Sequence, residues 1–322
     1  MQTHASQPLA ITDNLNILVL AGGVGGAKLA EGLAQVVPPE KLTVVVNTGD
    51  DFQHFGLTVC PDLDTVMYTL AGQANPETGW GRVGESWRTI EEIGRLGGPD
   101  WFKLGDLDLA THLTRSHLLA EGQSLTQATA HLSSRFGIEA GLLPMCDQPA
   151  PTMIRCDEGL LPFQTWFVAR RWLPAVQEVC LPEDVRASTK VLMALEKADI
   201  ILIAPSNPFV SIDPILNVYP IREMIADLPR AVVAVSPIIA GQALKGPAAK
   251  MMAEMGMPVS AAAVAGHYGE LIDVFVYDRQ DEELPAQPGL KTLKTNTIMQ
   301  DRDGRRRLAG EILEYVTELD KR

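Results

Sequence analysis

The densest group of potentially reactive residues lies within the first 65 positions. Gly22-Gly23-Val24-Gly25-Gly26-Ala27-Lys28 follows a short apolar run and leads into a stretch with helical spacing. Glycines let a backbone approach a phosphate closely, and a helix N-terminus adds free N–H groups and partial positive charge. The turn matches neither of two common fingerprints. A GxGxxG pattern begun at Gly23 meets Lys28 at its last position, and a Walker A loop would carry Ser or Thr where Leu29 stands. Gly22, Gly23, Gly25, Gly26 and Lys28 are therefore candidate nucleotide-phosphate ligands, the alternative being a tight strand-to-helix turn without a ligand.

Asn47-Thr48-Gly49-Asp50-Asp51 and Cys60-Pro61-Asp62-Leu63-Asp64-Thr65 come next. One acid at this place suits a ribose; two adjacent acids exceed that need. Asp62 could also cap the helix that begins near Leu63. Several carboxylates beside a phosphate loop repel one another unless a cation joins them, and Mg²⁺ held by one or two carboxylates plus substrate phosphates resolves the conflict. Asp50, Asp51 and Asp62 are the candidate metal ligands. Further along, Thr111 and Arg115 share a helix face beside His112, which suits an anionic group or simply solvent. Ser206, Asn207 and Ser211 offer hydrogen bonds to a base or ribose, and Ser236 with Lys245 to a phosphate. A lone His267 is more often structural than ligand-facing.

The elements that must position these groups follow from periodicity. Residues 16–20 and 42–46 are buried strands joined by a helix over 27–36, a βαβ unit that starts a parallel sheet. Apolar runs at 199–204, 231–235, 259–264 and 273–277 continue it. Between them, 85–96, 106–120 and 124–136 read as helices, and 152–156 with 163–169 as a hairpin around Asp157-Glu158-Gly159. The predicted fold class is α/β, a Rossmann-like open, mostly parallel sheet with helices on both faces. A loose tail is expected over 1–15, the nucleotide-binding core over 16–79 and 172–322, and a helical and hairpin insertion, a candidate lid, over 80–171.

Composition narrows the function. The 322 residues are 46% hydrophobic, ample for a large core. A net charge of −13, from 40 acidic and 27 basic residues, repels nucleic acid, and Arg305-Arg306-Arg307 is too short a run to overcome it. The four cysteines show no metal-binding or disulfide spacing, which fits a reducing, cytoplasmic compartment. No signal-peptide pattern opens the chain, and no apolar run reaches the roughly 18 residues of a membrane span.

Taken together, residues 20–28, 46–51, 60–65, 101–115 and 204–208 occur in an order that resembles the CofD/FbiA family, the 2-phospho-L-lactate transferases of coenzyme F420 biosynthesis. The resemblance extends from about residue 16 to the region of Met299, and the Gly-Gly-Val-Gly-Gly and Trp-Phe-Lys-Leu-Gly-Asp segments are closer to the bacterial branch. It implies transfer of a phosphoenolpyruvyl or 2-phospho-L-lactyl group from a guanosine-diphosphate-linked donor to the terminal hydroxyl of the deazaflavin FO, with release of GMP and a requirement for Mg²⁺. It also implies a homodimer. On this resemblance Asp64 contacts FO and, with Asp50, is a catalytic residue; Arg88 after Trp87 is a second, basic FO contact. Ser206 and Asn207 fall at the guanosine end, and His112 and Arg115 near the acid or FO. The readings set against it are an NAD(P)-dependent oxidoreductase and a non-catalytic nucleotide-binding regulator.

Overall fold

Short runs of Val, Ile and Leu form the strands of the computed structural model, which describes residues 14–319. The strands are β1 (Ile17–Ala21), β2 (Leu42–Val46), β3 (Phe52–His54), β4 (Leu57–Val59), β5 (Gly141–Pro144), β6 (Met153–Cys156), β7 (Gly159–Pro162), β8 (Val176–Cys180), β9 (Ile200–Ile203), β10 (Ala231–Val235), β11 (Ile238–Ile239), β12 (Gln242–Ala243), β13 (Val274–Asp278) and β14 (Lys291–Thr295). The helices are α1 (Gly23–Ala34), α2 (Pro61–Leu70), α3 (Arg88–Arg95), α4 (Asp106–Ala120), α5 (Leu125–Arg135), α6 (Thr189–Lys197), α7 (Asp213–Asn217), α8 (Ile221–Asp227), α9 (Ala248–Glu254), α10 (Ala261–Tyr268) and α11 (Arg302–Leu319).

One sheet runs in the order β14-β13-β10-β9-β1-β2-β5, and each neighbouring pair in it is parallel. From β1 the chain moves to β2 and β5, then returns to the other side of β1 for β9 and the strands after it. The order thus reverses between β1 and β9. In open α/β sheets ligands bind in the crevice at such a reversal, outside the C-terminal strand ends. β1 is buried on both faces, as a central parallel strand must be. Its Ile17, Val19 and Ala21 pack with Leu29 of α1, Leu63 of α2 and Ile312 of α11. Its Leu18 and Leu20 join the opposite core with Ile154, Trp166, Ile215 and Met251. The α/β class with helices on both faces is therefore observed.

Four local differences have physical causes. Residues 259–264 form no strand: Ser260 Oγ accepts from the Ala263 amide and caps α10. An Ala-rich run behind a serine cap favours helix, which a short apolar run alone does not reveal. The hairpin closes through β7 at 159–162 rather than 163–169, because Pro162 ends the strand and a π-helical turn, Thr165–Ala169, follows. Phe163 and Phe167, four apart, stack there with ring centroids 5.3 Å apart. β14 is an exposed, polar edge strand without an apolar signature. Finally, the stretch 80–171 is stitched into the main sheet, since β5 pairs with β2 from Thr43↔Gly141 to Val46↔Pro144. β6 likewise pairs across residue 171 with β8. The tail expected at 1–15 lies outside the described residues except for Asn14 and Leu15. Among the described residues no helix is long and apolar enough to cross a membrane.

Candidate active site

The glycine turn sits at the β1 end of the crevice, and its glycines are required by protein neighbours. α1 starts at Gly23, whose φ of +61° favours glycine. A Cβ on Gly22 would lie 2.5 Å from Asp62 Oδ2 and 2.7 Å from Ser211 Cβ; one on Gly25 would strike the Pro205 carbonyl oxygen. The loop after β9 thus closes onto the turn. Ser206 locks it there, its Oγ donating to the Gly22 carbonyl at 2.7 Å and accepting from the Gly22 amide at 3.2 Å. Asn207 is also engaged locally, accepting from the Phe209 amide at 3.0 Å. Lys28 Nζ donates to the Met299 carbonyl at 2.9 Å. Burial, then Arg305 and Lys245, lower its pKa, so this flank of the turn is cationic. Lys245 itself donates to the Thr78 carbonyl at 3.3 Å.

The carboxylates meet on the other flank. Asp50 and Asp51 follow β2, and Asp62 lies in the first turn of α2. Cys60, not Asp62, is the N-cap residue of α2. The Asp62 carboxylate instead accepts from Asn47 Nδ2 at 2.9 Å and from the Gly23 amide, which ties α2 to the glycine turn. Asp50 Oδ2 accepts from Gln164 Nε2 at 3.1 Å. One oxygen of Asp50 and one of Asp51 are buried with no hydrogen-bond partner. Burial, followed by the charges of Asp62 and Asp51, pushes the Asp50 carboxyl well above its ordinary range. Burial does the same to Asp51, against a hydrogen bond from Cys60 and the charge of Arg115. Burial also pushes Asp62 up to about 6. Buried carboxylates with orphaned oxygens are groups a divalent cation could relieve, although among the described residues Asp50, Asp51 and Asp62 do not bring three ligand atoms to metal-site spacing.

Asp64 has different surroundings. Arg115, fully buried on α4, forms a bidentate pair with it, Nη1 donating to Oδ2 at 3.0 Å and Nη2 to Oδ1. His112 Nδ1 is 3.5 Å from Asp64 Oδ2, and its Nε2 is 3.4 Å from Asp108 Oδ1. Tyr68 OH donates to Asp108 Oδ1 at 2.6 Å. His112 and Arg115, expected to grip a substrate group, therefore turn inward onto carboxylates. Sequence reading did not single out Tyr68 and Asp108. The signal was present in spacing: 64 and 68 are four apart on α2, and 108, 112 and 115 share one face of α4.

Trp87 and Arg88 stand at the start of α3. Ser86 Oγ donates to Asp106 Oδ2 at 2.6 Å and the Thr89 amide to Asp106 Oδ1 at 3.1 Å, which fixes that helix start on α4. Trp87 packs edge-on to Trp80 at 6.2 Å, and both line a shallow depression with Arg82 and Asp108. Arg88 is exposed. The β3–β4 hairpin adds an aromatic group in which His54 lies 5.5 Å from Trp101 and 6.1 Å from Phe102. Ser236 and His267 serve the scaffold: Ser236 Oγ donates to the Ile238 carbonyl, and His267 pairs with Asp213 at 2.9 Å. A cleft of about 430 Å³, lined in part by Arg186, Tyr219 and Arg222, involves none of the predicted site residues.

The family model "2-phospho-L-lactate transferase CofD" matches residues 17–314, nearly the whole chain and all of this site. The chain belongs to the CofD family. It is 42% identical over 298 residues to a "2-phospho-L-lactate transferase" of Methanosarcina acetivorans, covering 91% of this chain and 96% of the relative. It is 41% identical over 318 residues to a "Phosphoenolpyruvate transferase" of Streptomyces griseus, covering 95% and 99%. Among solved structures, a Bacillus halodurans protein superposes with a TM-score of 0.62 at 16% identity, covering 94% of this chain and 100% of that one, and shares the fold. This CofD-family protein is accordingly a transferase, which excludes the oxidoreductase and non-catalytic readings.

Proposed function

We propose that this transferase acts in coenzyme F420 biosynthesis. In this reading it moves a phosphoenolpyruvyl or 2-phospho-L-lactyl group from a guanosine-diphosphate-linked donor to the terminal hydroxyl of the deazaflavin FO. The names of the relatives support the transferred groups. The observation that carries the reading is the meeting of a cationic turn flank at Lys28 with buried, partnerless carboxylate oxygens on Asp50 and Asp51, at the reversal of the sheet. A diphosphate donor that binds through a cation needs both sides.

In the proposed reaction the hydroxyl oxygen of FO bonds to the donor phosphorus nearer the acid. The bond from that phosphorus to the oxygen kept by GMP breaks, and the hydroxyl proton passes to water. Such transfers need positioning and charge neutralisation more than a strong base. Asp64 has both oxygens already held by Arg115, so it orients the hydroxyl as an acceptor. Lys28 and the α1 N-terminus bind the diphosphate. Asp50 and Asp62, whose charge acts most on Asp50 among its neighbours, would hold Mg²⁺ together with Asp51. When bound, the ion neutralises phosphate charge as a Lewis acid. Trp87 and Arg88 flank the FO side. Ser206 and Asn207 shape the guanosine end through the loop after β9. Mass spectrometry of the products from FO with enolpyruvyl, lactyl and glyceryl donors, with GMP measured alongside, tests the proposal. Release of GMP with an FO adduct of the matching mass is expected; no adduct with any donor overturns it.

A further inference from the structure

The pair formed by Asp64 and Arg115 is one end of a longer buried chain. Tyr68 lies one turn beyond Asp64 on α2, and its hydroxyl donates to Asp108 Oδ1 at 2.6 Å. Asp108 Oδ1 faces His112 Nε2 at 3.4 Å, and His112 Nδ1 lies 3.3 Å from Arg115 Nη1. All five side chains are buried. Arginine has donors only, so where Nη1, which also faces Asp64 Oδ2 and the Thr58 carbonyl, bonds the ring, Nδ1 is the acceptor. The single ring proton of a neutral imidazole then sits on Nε2, facing Asp108 at 3.4 Å without a hydrogen bond.

We infer that Tyr68, Asp108 and His112 are positioning residues that fix Arg115 on Asp64, with His112 acting as the neutral tautomer protonated at Nε2. The consequence is geometric. Asp64 belongs to α2 and Arg115 to α4, so the angle at which Asp64 meets a substrate depends on the register of two helices. Asp64–Arg115 and Tyr68–Asp108 are two ties across that pair, and His112 bridges them. Misplacement by about 1 Å at a reacting group costs around 100-fold in rate, so this bracing bears on turnover rather than on donor binding. Asp64, Asp108 and His112 also have ligand atoms within 4.8 Å of one another, the spacing of a metal site. Arg115 already supplies the positive charge there, pairing with both Asp64 oxygens and touching Nδ1, and a dication would be forced against it.

The catalytic half of this inference rests on the proposed transfer to FO; the tautomer does not. The decisive variant is Asp108→Asn. Tyr68 and His112 Nε2 both face Oδ1, so the amide oxygen can keep both places and the variant removes the carboxylate charge between them. Selective ¹⁵N labelling of histidine should show the His112 proton on Nε2 in the wild type. The kcat of D108N should fall about 10- to 100-fold, the range for partners that orient a functional histidine, with KM for FO and for the donor changed less than about twofold. A wild-type proton on Nδ1, or on both nitrogens, overturns the inference. So does a D108N enzyme with wild-type kcat. Should D108N fail to fold, Tyr68→Phe takes its place, with kcat expected to fall about fivefold for one lost hydrogen bond; an unchanged kcat overturns the relay. If no donor supports turnover, the proposed function fails while the NMR result still decides the tautomer.

Discussion

Arg115 holds both oxygens of Asp64, whereas Asp50 and Asp51 each keep one buried oxygen without a partner. In the proposed function the contrast separates an acid that orients from acids that bind charge, a division that four aspartates at 50, 51, 62 and 64 do not disclose by type or spacing. Asp64→Asn keeps one acceptor oxygen but loses the ionised fork. Steady-state kinetics should show turnover reduced about 100-fold or more, the scale of losing one preorganised electrostatic contact, with donor affinity retained; unfolding of this variant would instead assign Asp64 to structure. Lys28→Ala removes the lysine of α1 that helps make one flank of the glycine turn cationic. Calorimetric titration should find GDP binding weakened about tenfold, as for one charge-assisted hydrogen bond, and unchanged affinity would remove Lys28 from the phosphate site. His54 sits among aromatic rings with a partnerless Nε2, and burial lowers its pKa below 6.5. Its neutral form is the one the fold accommodates. Below 6.5 the unfolded chain binds a proton that the folded protein refuses, so stability rises with pH through the window between the depressed folded pKa and 6.5, and is fully present above 6.5. Thermal melts should show a midpoint that falls as pH drops through that window, and His54→Phe should flatten the slope. An equal slope in both proteins would locate the dependence elsewhere.

At the scale of elements, the central strands were legible because a parallel strand buried on both faces is a continuous apolar run, as in β1, β2, β9 and β10. The same rule misleads where alanine dominates: residues 261–265 open the helix α10 under a Ser260 cap. It is silent where an edge strand is polar, as in β14. The glycine turn was legible as a place, but not in its detail. Its glycines admit Asp62, Ser211, Pro205 and Ser206, side chains and backbone from two distant segments that no local pattern could specify. Gly25→Ala tests this directly, because its Cβ would collide with the rigid carbonyl of Pro205 rather than with a flexible side chain. A loss of about 1–3 kcal/mol in urea denaturation, the usual cost of overpacking, is expected. GDP affinity should fall as well, since the loop after β9 can escape only by moving off the turn. A variant that loses stability yet binds GDP normally would show that loop to be outside the nucleotide site.

The whole molecule carries a net charge of −13, and it brings the ends of β1 and β2, the start of α2 and the loop after β9 to one crevice rich in carboxylates. A diphosphate entering such a field is repelled unless cations intervene, and Lys28 with Lys245 and a helix N-terminus are few against Asp50, Asp51 and Asp62. The same carboxylates come from different elements: two follow β2 and one begins α2. Their repulsion therefore works against closure of the crevice, and an ion joining them would work for it. Because the unfolded chain lacks this arrangement, a cation that binds only the folded form stabilises it by about 2.7 kcal/mol at 100 times its dissociation constant. Melting experiments should accordingly show Mg²⁺ raising the midpoint of the wild type. Asp50→Asn, which removes one buried charge from the cluster, should melt above the wild type in EDTA and gain less from Mg²⁺, while excess EDTA should stop turnover. Equal Mg²⁺ responses in the two proteins would take the ion away from Asp50. Full activity in EDTA would leave the buried carboxylates to act without it, and the neutralisation of the diphosphate would then fall to Lys28, Lys245 and the α1 N-terminus alone.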